Sequence, residues 1–186
     1  MTILIKDTFT DVDGTLLINH ISDIGGSWAS TGSGKISGNK VVAGAITGSP
    51  AAVTHTKQAS VFNSYAQGRP YTGADGMAFY LHINYGGSWS DELYVVSGGQ
   101  FRLNGVDIPS IPFVDGGLYK IKRIDDIVYA YLDGVLKASQ PARGTQRKFY
   151  IEVHTGYEAP VYFDDYEAGE EVPVLYSDHL PLMGVH

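Results

Sequence analysis

The chain contains no cysteine in 186 residues, which excludes disulfides and thiolate metal sites. It is short of cations, with 13 Lys and Arg against 20 Asp and Glu and a net charge of −7. A phosphate backbone needs a basic face, so nucleic acid is not an expected partner. No apolar run approaches the ~20 residues of a bilayer span, and no basic amphipathic stretch points to a membrane surface. The first nine residues, Met1 to Phe9, hold no apolar stretch of signal-peptide length, so the product is expected to be made in the cytoplasm and to stay there at first. Apolar spacing of period 3.6 never lasts long enough for a substantial helix.

Familiar catalytic signatures are missing too. There is no Gly-x-Ser-x-Gly elbow and no His-Glu-x-x-His helix. Gly34-Lys35 is followed by Ile36, where a phosphate-binding loop needs Ser or Thr. The histidines at 20, 55, 82, 154, 179 and 186 have no helical ligand spacing. His82 and His154 alternate within strand-like runs, which permits pairing across a sheet. Each is nevertheless expected to be an ordinary structural or surface histidine.

What remains is abundant turn and strand chemistry: 23 glycines, 13 tyrosines and 44% apolar residues. Strand-like runs recur at Ile3–Phe9, Thr15–His20, Lys40–Ile46, Ala52–Gln58, Val61–Tyr65, Met77–Asn84, Glu92–Ser97, Gln100–Leu103, Lys148–Thr155 and Pro160–Ala168. Gly, Asp-Gly and Gly-Gly turn signals separate them. The clearest signal is a meander. Tyr119–Ile124, Ile127–Leu132 and Val135–Ala138 are joined by Asp125-Asp126 and Asp133-Gly134, residues that tolerate the positive φ of two-residue hairpin turns. About a dozen short strands at this spacing predict an all-β fold of two packed antiparallel sheets. The Gly-Gly-Ser-Trp at 25–28 recurs at 86–89, but the flanks do not match and it is read as coincidence.

Three pieces of the chain resemble the concanavalin A-like lectin/glucanase superfamily, the jelly-roll group that includes laminin-G-like modules. The opening Asp7-Thr-Phe9, Asp13-Gly-Thr-Leu-Leu17, His20 and Asp23-Ile-Gly-Gly-Ser-Trp28 is similar to the entry of phage and bacterial modules of this type. The meander is similar to the ligand-face hairpin, and Val161-Tyr-Phe-Asp-Asp-Tyr-Glu167 to a final strand that pairs beside the first. The resemblance implies a two-sheet jelly-roll sandwich over residues 1–171. The segment 172–186 then reads as an extended C-terminal arm or a tail packed back, carrying Leu175, Tyr176, Leu180, Leu182 and Met183 as assembly contacts.

Activity follows less directly, because one fold hosts many functions. A glucanase of this superfamily carries Glu-x-Asp-x-x-Glu on one strand, a spacing this chain lacks. Asp91-Glu92 is an adjacent pair whose side chains point to opposite faces of a strand, whereas Asp165 and Glu167 share a face. No catalytic residue is therefore expected. Sugar contacts are expected at Tyr71, Tyr85, Trp89 and Tyr157, aromatics beside glycines in loops, while Trp28 is expected in the core. No cofactor is required. Calcium is the one metal to weigh, with Asp7, Asp11 and Asp13 approaching Asp164, Asp165 and Glu167 if the end strands pair. In the alternative, these acids cap turns or sit solvated on an edge.

The leading expectation is a non-enzymatic structural or interaction protein on a bacteriophage virion surface, a capsid decoration or tail accessory protein. Its partners would be its own copies or other virion proteins, and its final location the virion. The alternative is a carbohydrate-binding module adsorbing to polysaccharide. A glycosidase is disfavoured by the missing acid pair.

Overall fold

The computed structural model describes residues 1–30, 34–42, 51–72, 78–86, 90–154 and 161–171, without the side chains of 30, 51–54, 72, 154 and 161. The chain runs through β1 (Thr2–Asp7), a 3₁₀ turn (Leu17–Asn19), β2 (Trp28–Ser30), β3 (Lys35–Ile36), β4 (Val41–Val42), β5 (Ala51–Gln58) and β6 (Ser64–Thr72). Next come β7 (Ala78–Tyr85), β8 (Asp91–Val96), β9 (Gln100–Leu103), β10 (Val106–Asp107) and β11 (Tyr119–Ile124). β12 (Ile127–Leu132), β13 (Val135–Pro141), β14 (Lys148–His154) and β15 (Val161–Glu170) complete it. No helix among the described residues is long and apolar enough to cross a membrane.

These strands form two antiparallel sheets, as the sequence predicts. The first has the order β13-β12-β11-β6-β15-β4-β3, with β1 also on β15, and the second β10-β9-β8-β7-β14-β5-β2. Side-chain alternation puts one face of each against the other. Phe79, Leu81 and Ile83 of β7, Leu93 and Val95 of β8, and Phe149, Ile151 and Val153 of β14 supply the second sheet's inner face. Ile121, Val128, Ala130, Leu132, Phe163 and Ala168 meet them from the first. Each Val, Leu, Ile or Phe among them contributes roughly 1.5–3 kcal/mol by leaving water, and each Ala less. Trp28 is buried in this core, as expected.

The meander has the predicted bounds, except that β13 continues to Pro141. Asp125, Asp133 and Gly134 take φ of 51°, 49° and 78°, the left-handed conformation these hairpin turns require. The first and closing strands also pair as expected, with Asp7 opposite Tyr166.

Two readings are corrected. Thr15–His20 is not a strand: Leu17 drops into the core while Leu16 and Ile18 face outward, and Asn19 and His20 donate back to Leu16 and Leu17 to close a 3₁₀ turn. Val61–Phe62 lies outside any strand, and β6 instead runs from Ser64 to Thr72, through Gly68 and Pro70. Gly68 is needed because the Phe163 ring lies over its Cα, and Pro70 comes after the last β6–β11 pair, Gly68 with Tyr119. Strands β2, β3 and β10, two or three residues each, were too short to carry an alternation signal.

Candidate functional site

The strands that place Phe79, Leu81, Leu93, Val95, Phe149 and Ile151 in the core must turn the residues between them outward. In β7, β8 and β14 those residues are aromatic or acidic, and the strand registers align them in rows. Arg102 of β9 pairs with Tyr94 of β8, Tyr94 with Tyr80 of β7, and Tyr80 with Glu152 of β14. In the next row Glu92, His82 and Tyr150 stand on β8, β7 and β14. Tyr85 stands opposite Lys148 beyond that row.

The rings touch. Tyr80 and Tyr94 have centroids 4.3 Å apart, Tyr80 stacks on His82 at 5.5 Å, and His82 meets Tyr150 edge-on at 4.9 Å. Tyr150 and Tyr85 stack at 4.3 Å with planes 6° apart. The Arg102 guanidinium lies over Tyr94 at 5.8 Å and is held by Asp107 at 2.6 Å. The result is a contiguous aromatic cluster in which Tyr80, Tyr85 and Tyr94 are half-buried at the surface while His82 and Tyr150 are buried between them, pinned by backbone ladders rather than carried on a loop.

Two carboxylates flank it. Burial pushes Glu92 above the usual carboxylate range, with Glu152 adding repulsion, against the opposing pull of Arg143, Arg102 and the Ser90 hydroxyl. Ser90 also lies 3.0 Å from His82 Nδ1. On the other side Glu152 accepts from the Tyr150 hydroxyl at 3.4 Å and lies 4.0 Å from His82 Nε2. Burial raises the Tyr80 and Tyr150 hydroxyls, so both remain donors at neutral pH. Such a face can stack the C–H face of a flat ring while carboxylate acceptors and phenol donors hold its hydroxyls.

Of the four aromatics expected to touch sugar, Tyr85 lies on this face. Tyr71 is on β6 of the other sheet, beneath the Lys40 ammonium at 5.1 Å. Trp89 and Tyr157 lie outside the described residues, as do Leu175, Tyr176, Leu180, Leu182 and Met183. The pair Asp91-Glu92 does split between faces. Asp91 points inward, fully buried, accepting from Arg123, Asn84 and the backbone N–H groups of Arg143 and Gly144. His82 and His154 are not opposite one another: His82 faces Tyr150, and His154 faces Ala78 four residues further along.

The acids weighed for calcium have protein partners. Asp7 accepts from His20, the Trp28 indole at 2.6 Å and the Phe9 backbone, and Asp11 lies 3.1 Å from the other His20 nitrogen. Asp13 accepts from the backbone of Gly38. Asp164 faces Lys40, Asp165 faces Arg69, and Glu167 accepts from Tyr65. A bulge between Asp164 and Glu167 breaks the alternation that would have aligned Asp165 with Glu167. Among the described residues no group of three acids or histidines is placed to hold a metal.

The residues that sequence reasoning missed are Tyr80, Tyr94, Tyr150, Glu92 and Glu152. Their signal is present as the odd partners in Phe-Tyr-Leu-His-Ile, Glu-Leu-Tyr-Val and Phe-Tyr-Ile-Glu-Val. What no single strand reveals is that β8, β7 and β14 are neighbours.

The architecture defines the class: an all-β jelly-roll sandwich of two antiparallel sheets. The fold is similar to the carbohydrate binding module CBM66 from Bacillus subtilis, at 13% identity and TM-score 0.58, covering 78% of this chain and 95% of that one. It is likewise similar to the Bacillus licheniformis β-glucanase, at 13% identity and TM-score 0.54, over 90% and 97% of the two chains. A Bacillus subtilis protein of unknown function with a galectin-like fold matches at 8% identity and TM-score 0.55, over 76% and 88%. No family model and no curated protein sequence matches the chain. At these identities the likeness is one of fold, and the expected resemblance to phage modules is not among the likenesses named here.

Proposed function

We propose that this protein is a carbohydrate-binding β-sandwich that holds a neutral glycan on the outer face of its second sheet. The observation that carries this reading is the half-buried cross-strand row Tyr94–Tyr80–Glu152, which joins ring faces to a carboxylate acceptor and is backed by the buried His82 and Tyr150 of the next row. Two carboxylates facing the ligand disfavour acidic sugars there by like-charge repulsion. The reading is one of binding rather than cleavage, and it rests on the aromatic row. A virion-surface role is compatible with polysaccharide adsorption, but it rests on the sequence alone, as does an assembly role for residues 172–186.

The test is calorimetry against a panel of soluble neutral polysaccharides. Tyr80→Ala and Tyr94→Ala are each expected to lower affinity about tenfold, the equivalent of one lost ring contact of about 1.4 kcal/mol. Tyr71→Ala, on the other sheet, should leave affinity unchanged. Equal affinity in all three variants overturns the site. Release of new reducing ends that stops with Glu92→Gln would replace binding by hydrolysis.

A further inference from the structure

The outer face of the first sheet carries an exposed apolar strip. Alternation on β12 turns Ile127, Tyr129 and Tyr131 outward, and the register sets Pro141, Ser139 and Leu136 of β13 beside them in that order. On the other side Lys122 pairs with Tyr129 and Lys120 with Tyr131. Ile127 and Leu136 are 38% and 52% exposed, on a face where outward residues are normally polar. Tyr131, Leu118, Gly134, Gln67 and the two lysines wall a hollow of about 320 Å³ along this strip.

The lysines do not make the hollow an anion site. Both ammonium groups reach one oxygen of Glu171, at 3.8 Å from Lys120 and 3.4 Å from Lys122, and Lys120 also lies over the Tyr65 ring at 4.2 Å. With their heads engaged, both offer alkyl stems to whatever lies over them. Glu171 also donates its backbone N–H to the Asn63 carbonyl at 2.8 Å. Asn63 in turn accepts from the Asp125 backbone at 2.8 Å and donates to the Asp125 carboxylate at 3.3 Å. The chain therefore leaves the sandwich beside the turn that opens β12, two residues before Ile127.

The segment beyond Glu171 suits this strip. Residues 172–186 hold no Lys or Arg and a single acid, Asp178, so they meet the lysines without like-charge repulsion. Val174, Leu175, Tyr176, Leu180, Leu182 and Met183 supply apolar side chains. Pro173 and Pro181 lack the N–H that a strand added to a sheet edge donates, so a face suits the segment better than the open edge of β13. The six residues of β12 span about 20 Å, and the 15 residues of the segment reach about 50 Å when extended. We propose that residues 172–186 pack back along the outer face of β11–β13, their apolar side chains over Ile127, Tyr129, Tyr131 and Leu136. The first sheet is then covered by its own chain, and the second is the one presented to ligands. The inference is independent of glycan binding.

The chain has no cysteine, so Gly184→Cys gives a single attachment point for a nitroxide well beyond Glu171. In a ¹H–¹⁵N spectrum of the full chain, the amides of Ile127, Tyr129, Tyr131 and Leu136 are expected to lose most of their intensity until the label is reduced. The Tyr80 and Tyr94 amides, on the other sheet, should be least affected. Leu180→Asp with Leu182→Asp in the labelled chain, and separately Leu136→Asp on the exposed face, should each restore most of that intensity. No broadening on β12, broadening confined to the surroundings of Asn63 and Thr2, or broadening that survives both sets of substitutions overturns the proposal. An equal loss in ¹⁵N chain without the label, mixed with labelled ¹⁴N chain, overturns it too, since the segment would then lie on a second copy.

Discussion

His20 and His55 are both buried beside Trp28 or its carboxylate partner, yet their surroundings drive them in opposite directions. His20 has Asp7 at 2.9 Å on one nitrogen and Asp11 at 3.1 Å on the other. Burial opposes its charge, but the two carboxylates outweigh burial and raise it above the ordinary histidine value of 6.5. That stabilisation is fully present below about pH 6.5 and is lost as pH rises through the folded value. His55 accepts the Lys57 backbone N–H on Nδ1, which leaves its proton on Nε2, beside Ser22. Burial first, and then Lys57, hold it down to about 4. Its contribution is present above about pH 6.5 and lost as pH falls toward about 4. Urea midpoints measured across this range should therefore fall on both sides of the value near 6.5. His20→Gln should flatten the alkaline side only and His55→Gln reduce the acid side only. An alkaline limb that survives His20→Gln would show that the Asp7–His20–Asp11 cluster is not its source.

Among the elements, β6 is the one whose sequence least resembles its structure, and the reason is a packing contact from another strand. Phe163 of β15 fills the space above Gly68, so the chain gives up a side chain there to keep a large ring in the core. Gly68→Ala would drive a methyl into that ring and is expected to cost about 1–3 kcal/mol. Denaturant unfolding would show this as a lowered midpoint with an unchanged slope. Phe163→Leu in the Gly68→Ala background should recover part of the loss, because the obstacle is then removed. The meander β11–β13 is the opposite case. Its Asp and Gly turn residues, strand lengths and inward Ile121, Val128 and Ala130 all agree, so local sequence sufficed.

Considered whole, the sandwich presents two outer faces of different chemistry. The second sheet shows tyrosines with Glu92 and Glu152, and the first shows lysines with Tyr129 and Tyr131. With the core between them, neither face contacts a ligand held on the other. A glycan held on the second sheet is therefore expected to be indifferent to Lys120→Gln and Lys122→Gln on the first, as calorimetry would measure, and a loss of affinity in either variant would mean that the first sheet serves the ligand.

The all-β class, the two packed antiparallel sheets, the meander and the burial of Trp28 were determined by sequence alone. They rest on alternation and turn chemistry, which act over two to ten neighbouring residues, whereas the jelly-roll form was implied by the resemblance. The binding face was decided only by tertiary structure. Tyr80, Glu92 and Tyr150 are each one outward residue in an alternating strand, and their meeting depends on β7 lying between β8 and β14 in a fixed register. β8 follows β7 directly, but β14 returns to β7 from some sixty residues away. That pairing is set by the packing of Phe149, Ile151 and Val153 into the common core, which no local pattern encodes.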